Sequence, residues 1–439
     1  MCRWSTRPTI LCRLLKAQPF KDPGTDRSNR CKPMNSHCIS PNWRLHQPTR
    51  ALAIVLVMLI AGCRASPAPQ ELNIALAVFP DEAARYRAFA EDFEAANHVH
   101  VNVLAQTYTD ILQAMRVQAG SHGSLDLVEL DLATLGEAHE HAQPLDTVVS
   151  PSARALFSNE AWNAATIDRR LYFIPHRLMW QAMIYNRVEV PNPPATWDDL
   201  ERFVREHPGK LALKGARYEG AICDVMPFVW TAGGSECAPG SPGSLRALDF
   251  IRQLAPDLND ESAVFREMSV LEAQARGSVW IHFNWPFAIA YLHSKGLAPG
   301  VNLSAPIPAG PDGRATPLGG GYLAIPNSAP HEKLAEKFIQ YLLTADVQSK
   351  LSRDLGWYGS VPPAPGSEDA RLYAGYVAMR PFVRARAAVD CYADLSDQWR
   401  RVARAVLFDD VAPASAIASN FHDAADRCDC AESRSGPEL

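Results

Sequence analysis

The chain has 439 residues, 43 Lys+Arg, 48 Asp+Glu, 10 Cys and a formal net charge of −5. Ten of the basic residues and two of the acidic ones fall in residues 1–50, which leaves the remainder with a net charge near −13. Such a surface argues against nucleic acid and polyanionic substrates, and 377 residues from 63 onward are enough for two lobes with separate cores.

The apolar run 51–60 (ALAIVLVMLI) is too short to span a bilayer comfortably. It follows Arg44 and Arg50 and ends in Ile60-Ala61-Gly62-Cys63, the layout of a secretory signal. The ending resembles a lipobox, which would make Cys63 a lipidated first residue and residues 1–62 a removed segment. Residues 1–50 hold four cysteines and no apolar periodicity, and Met34 offers a start that leaves a signal of ordinary size. Residues 63–71 read as a small, Pro-rich tether.

Beyond the tether, Leu72, Ile74, Leu76 and Val78 alternate with small or polar residues, which predicts a strand. Tyr86, Phe89, Ala90 and Phe93 recur at helical spacing. Val99, Val101 and Val103 predict a second strand, 111–117 a helix and 125–130 a third strand. Strands alternating with helices through short links predict a mainly parallel α/β sheet. Ile184 and Tyr185 end another apolar run, and Pro191, Pro193 and Pro194 hold the next stretch extended. Thr196, with Asp199 three residues on, begins a capped helix over 196–206 in which Trp197 reads as a packing residue. Further helices are predicted over 223–232, 244–254, 332–343, 396–407 and 413–427, and strands over 279–283 and 318–325. Two such blocks predict two lobes facing a ligand cleft.

Residues 183–200 (MIYNRVEVPNPPATWDDL) are similar to the YN(K/R)...PPxTWxEL segment of family 1 extracellular solute-binding proteins, the sugar-capturing subunits of ABC importers. Other segments resemble the same family in the same order: 126–135 (DLVELDLATL), Phe173-Ile174-Pro175, Tyr218-Glu219-Gly220 followed by Gly233-Gly234, 279–285, 319–326 (GGGYLAIP) and 334–343. The resemblance implies a two-lobed periplasmic-binding-protein fold of type II, with its ligand cleft between lobes joined by a hinge. Lobe 1 would comprise 72–177 and 320–358, and lobe 2 would comprise 178–319 and 359–439. Where the family often has Trp in GGWxLAI this chain has Gly321, which removes one possible stacking surface.

A sugar site needs aromatic platforms for C–H faces, and acids, amides and arginines for hydroxyls. Trp285, after Asn284 at the end of an apolar strand, reads as the chief platform, with Trp357 and Trp180 secondary and core packing as the alternative. Asp131 lies at a strand end, where ligands collect in open α/β sheets, or else caps the following helix. Glu219 precedes Gly220 in a loop, with a plain exposed acid as the alternative. Asp224 fits the N-cap of its helix better than a ligand contact. Arg177, beside His176, could fork to two hydroxyls or pair with an acid across the hinge. Gly320 and Gly321 permit close approach of backbone to ligand, or a strand bend.

His139-Glu140-His141 places its imidazoles on different helix faces and HExxH is absent, so neither metal nor cofactor is expected. The resemblance implies a lipid-anchored, extracytoplasmic binder of an oligosaccharide of the trehalose/maltose class that delivers it to an ABC permease without catalysis. A binder of glycerol-phosphate or a polyol, and a secreted carbohydrate-active enzyme, are the alternatives. Cys391 precedes the first C-terminal helix, and Cys428 and Cys430 follow the second. Antiparallel packing of that pair would allow a bridge from Cys391 to one of them. Cys223 with Cys237 is a second candidate.

Overall fold

A computed structural model describes residues 70–421, apart from 121, 122, 299, 388 and 390. The signal segment, Cys63, the tether up to residue 69, Cys428 and Cys430 lie outside the described residues. The first alternation is realised as β1 (Gln70–Leu76), α1 (Pro80–Asn97), β2 (Val99–Ala105), α2 (Tyr108–Gln118) and β3 (Leu127–Asp131). A hairpin of β4 (Thr166–Ile167) and β5 (Arg170–Leu171) precedes β6 (Ile174–Trp180) and β7 (Ala182–Asn186). Next come α3 (Trp197–Glu206), β8 (Leu211–Ala212), α4 (Glu219–Thr231), α5 (Pro242–Leu254) and α6 (Glu267–Ala275). After them lie β9 (Ile281–Asn284), α7 (Phe287–Ser294), β10 (Asn302–Ala305) and β11 (Thr316–Ala324). The chain continues with α8 (Glu332–Leu342), α9 (Ala345–Leu355), β12 (Val383–Arg384), α10 (Tyr392–Phe408) and α11 (Pro413–Asn420).

Two sheets organise these elements. The first has the order β12-β11-β3-β1-β2, with β6 also paired to β11, and the second the order β10-β7-β9-β8. β1 runs parallel to β2 and β3, but β11 enters antiparallel to both β3 and β6. The first sheet is therefore mixed rather than mainly parallel, because β11 returns from the other half of the molecule. β7 is antiparallel to β9 and β10, and only β8 is parallel to its neighbour.

Each sheet has its own apolar core. One gathers buried side chains from Leu72 to Leu178 and from Leu318 to Trp357. The other gathers Trp180 to Ala315 and Leu372 to Ala416. The chain thus passes between cores within β6, at the start of β11, and between Trp357 and Leu372. Local rules hold at the predicted cap. Thr196 Oγ1 accepts from Asp199 N (3.2 Å) and Asp199 Oδ2 accepts from Thr196 N (3.1 Å). Trp197 stacks on Phe250 with ring centroids 4.2 Å apart, a packing role. No helix among the described residues is long and apolar enough to cross a membrane.

The cysteines correct one expectation. Cys223 is free and buried inside α4, so it forms no bridge to Cys237. Cys237 and Cys391 are each disulfide-bonded.

Candidate functional site

The first side of the site is built at the C-terminal ends of β1 and β3. Parallel strands bring their carboxyl ends to one edge, and Ala77 to Phe79 and Asp131 stand there. Glu129, fully buried on β3, is the hub. Its Oε2 accepts from Ala77 N (3.0 Å) and Arg177 Nη2 (3.1 Å), and its Oε1 lies 3.0 Å from His176 Nδ1. With Nδ1–H donating to the carboxylate, His176 Nε2 accepts from Tyr86 Oη at 2.9 Å. Arg177 Nη2 also donates to Ala77 O (2.6 Å) and Tyr108 Oη (3.1 Å), and its guanidinium carbon lies 5.4 Å from the Trp357 ring centroid. Burial pushes the Glu129 carboxyl up, but Arg177 and His176 outweigh it and hold it at about 2. Of the two readings open for Arg177, the acid partner is the one observed, although the acid is on β3 rather than across the hinge.

Gly320 and Gly321 serve this hub. Gly320 has φ +104°, and a Cβ there would lie 1.9 Å from Arg177 O. A Cβ on Gly321 would lie 2.0 Å from Glu129 Oε1. The Cβ direction at both glycines is taken by β6 and by the Glu129 carboxylate, so neither position has room for a side chain. The pairing of β11 with β6 shifts register between Gly321 and Tyr322.

Trp285 follows β9 and is 9% exposed. Its backbone N–H donates to Asn284 Oδ1 (2.9 Å). Its ring rests on Gly319, where a Cβ would lie 2.7 Å from the six-membered ring. The next residue, Pro286, lines a small apolar groove with Met179, Tyr358, Pro362 and Tyr376.

Between the two cores a third group assembles around Arg386. Its Nη1 donates to Glu219 Oε1 (2.6 Å) and its Nη2 to Asp131 Oδ1 (3.4 Å). Glu219 begins α4 and also accepts from Tyr392 Oη and Ser396 Oγ. Asp131 Oδ1 caps the turn after β3 by accepting from Ala133 N (2.8 Å). Burial pushes the Asp131 carboxyl up against the opposing pull of Arg386. The side chains of Asp131 and Glu219 remain 26% and 30% exposed, whereas Arg386 is 3% exposed. Tyr218, the residue before α4, lies beneath the Arg266 guanidinium at 4.8 Å, and Phe79 stands 58% exposed after β1.

Asp131 and Glu219 are thus brought together on Arg386, Trp285 lies against Gly319 of β11, Arg177 is taken up by Glu129, and the remaining sequence candidates are also engaged within the protein. Asp224 lies inside α4 rather than at its N-cap, fully buried and paired with Lys214, whose Nζ also donates to Phe283 O (2.6 Å). Trp180 is packed in the second core with its Nε1 donating to Tyr376 O (2.7 Å). Asn284 has no exposed surface, and its Nδ2 donates to Glu267 O (3.2 Å). Trp357 packs beside Tyr86 and His176, and its Nε1 donates to Glu82 (2.8 Å). Arg386, Tyr392 and Tyr218 were not legible as a group, because no short motif joins them. Among the described residues, no group of three or more His, Cys, Asp or Glu is arranged to hold a metal.

The sequence profile of the bacterial extracellular solute-binding proteins matches residues 88–381. The chain belongs to that family. This solute-binding protein is also similar to a maltotriose-binding protein of Pyrococcus abyssi, 24% identical over 302 residues, 63% of this chain. That match spans 64% of the relative, less than two thirds of its length. The maltodextrin-binding protein MdxE of Bacillus subtilis is 21% identical over 320 residues, 66% of this chain and 74% of that one. In fold, the binding protein resembles the GacH receptor of Streptomyces glaucescens, solved unliganded and with acarbose. The TM-score is 0.70 at 19% identity, over 82% of this chain and 98% of that one. The architecture is accordingly the two-lobed α/β fold of periplasmic binding proteins.

Proposed function

We propose that the protein captures an oligosaccharide of the trehalose/maltose class outside the cytoplasm and presents it to the permease of an ABC importer. The observation that carries this reading is the placement of Asp131 from one lobe and Glu219 from the other, both partly open to solvent, on one buried guanidinium. Carboxylates at the facing strand and helix ends accept from sugar hydroxyls, and Trp285 offers a ring for a C–H face. The relatives named for maltotriose and maltodextrin binding support the same ligand class. Reversible capture by hinged closure fits two cores linked through β6, β11 and the segment after Trp357, with lobe limits at 72–177, 178–319, 320–358 and 359–439. Incubation with a panel of maltose, maltotriose and trehalose should retain sugar on the protein and return it unchanged. Hydrolysed sugar would replace this reading with an enzymatic one.

Anchoring through a lipid on Cys63 belongs to the same proposal and is supported by the Ile60-Ala61-Gly62-Cys63 ending of the short apolar run. Cys63→Ser should block lipidation and release the protein from the membrane fraction. Unaltered processing and fractionation in that variant would contradict it.

A further inference from the structure

The charge pattern around the two buried arginines of the site bears on which sugars it accepts. Arg177 is paired with Glu129 at 3.1 Å and has its remaining Nη2 contacts with Ala77 O and Tyr108 Oη, so that pair sums to zero. Arg386 is shared by Asp131 and Glu219, so that triad sums to one negative charge. Neither guanidinium has surplus charge for an anionic ligand. Arg386 has one further feature. Its Nε is buried without a hydrogen-bond partner among the described residues. A buried donor left open costs free energy comparable to a lost hydrogen bond, and a ligand oxygen would satisfy it.

The backbone around Arg386 explains how it reaches both lobes. Ala385 N donates to Glu160 Oε1 (2.8 Å), next to the first core, and Ala387 N donates to Glu236 Oε1 (2.7 Å), next to the second. The residue between these two anchors spans the gap, and its fork reaches Asp131 on one side and Glu219 on the other.

We infer that Arg386 is a ligand-binding and lobe-bridging residue, and that the Asp131–Arg386–Glu219 triad restricts the site to uncharged sugars. It excludes phosphorylated or carboxylated ones. The inference rests on the carbohydrate reading above for its ligand and on the geometry alone for its bridge. The Nε–H donates to a sugar oxygen, while the two carboxylates accept from hydroxyls and repel an anionic substituent. Arg386→Lys keeps the charge but loses the planar fork that serves both acids and a ligand at once.

Two measurements test it. Titration calorimetry compares trehalose and maltotriose with trehalose 6-phosphate and maltose 1-phosphate. The neutral sugars should bind and the phosphates should be weaker by roughly tenfold or more, the scale of one lost charge-assisted contact. Arg386→Met should weaken the neutral sugars by a similar factor, and Glu219→Gln should narrow the gap between neutral and phosphorylated ligands. Phosphates that bind as tightly as neutral sugars, or Arg386→Met with wild-type affinity, would overturn the inference. Small-angle scattering of the ligand-free protein reads the bridge independently. Arg386→Met, checked for native circular dichroism, should show a larger radius of gyration than wild type. An unchanged radius would overturn the bridge. If neither neutral nor phosphorylated sugars bind wild type, the carbohydrate reading and the selectivity built on it fall together, and scattering alone decides the bridge.

Discussion

Glu129 shows how a single buried carboxylate organises one edge of the cleft. It fixes Arg177, orients His176 and holds the turn after β1 through Ala77 N. Glu129→Gln leaves Arg177 without its counter-ion and should cost about 3–5 kcal/mol, the scale for removing one partner of a buried pair. Urea denaturation measures this, and a loss within experimental error would contradict the hub. The acid limb of stability follows from the same group. Its pKa falls from 4.5 to about 2 on folding, so the folded state binds fewer protons than the unfolded one in that interval. The stabilisation is fully present above about 4.5 and is lost as pH falls from there towards 2, and Glu129→Gln should flatten that decline. Trp285 makes a second prediction at this scale. Trp285→Ala should abolish most sugar binding, and Gly319→Ala should weaken it by pushing the ring off its seat, with Cβ 2.7 Å from the ring. Wild-type affinity in both variants would remove Trp285 from the site.

At the scale of elements, most of the order was legible because apolar period and punctuation agree. β1 to β3 and the capped α3 follow their patterns. β6 was not read as a strand, since Pro175, His176 and Arg177 interrupt its apolar run. These polar groups are buried there because Glu129 and Tyr86 satisfy them. α4 begins at Glu219 rather than 223, because Gly220 reads as a loop residue. In the folded chain that glycine makes room for Tyr218 and Glu267, which a Cβ would meet at 2.5 Å and 2.3 Å. Asp131 and Trp285 were legible as strand-end residues. Arg386 was not, because its two acids lie 255 and 167 residues away in the sequence and only the folded chain joins them. α4 also makes a prediction of its own. Burial pushes the Cys223 thiol up to about 12, so it should resist alkylation in the native protein and react only on unfolding. Peptide mapping under non-reducing conditions should find Cys237 and Cys391 in disulfides and Cys223 as the thiol. A bridged Cys223 would contradict the packing of this helix.

At the scale of the whole molecule, two cores with separate sheets leave the joining segments to carry the ligand-dependent change. A solute that binds between the lobes stabilises the folded state by mass action, whatever its exact contacts. The central claim is that this solute is a sugar. A thermal-shift screen of maltose, maltotriose, trehalose and longer maltodextrins against amino acids, polyols and phosphorylated solutes tests it most directly. A sugar present at a hundred times its dissociation constant should add about 2.7 kcal/mol and raise the melting temperature. A screen in which no sugar raises it, while another class of solute does, would contradict the account.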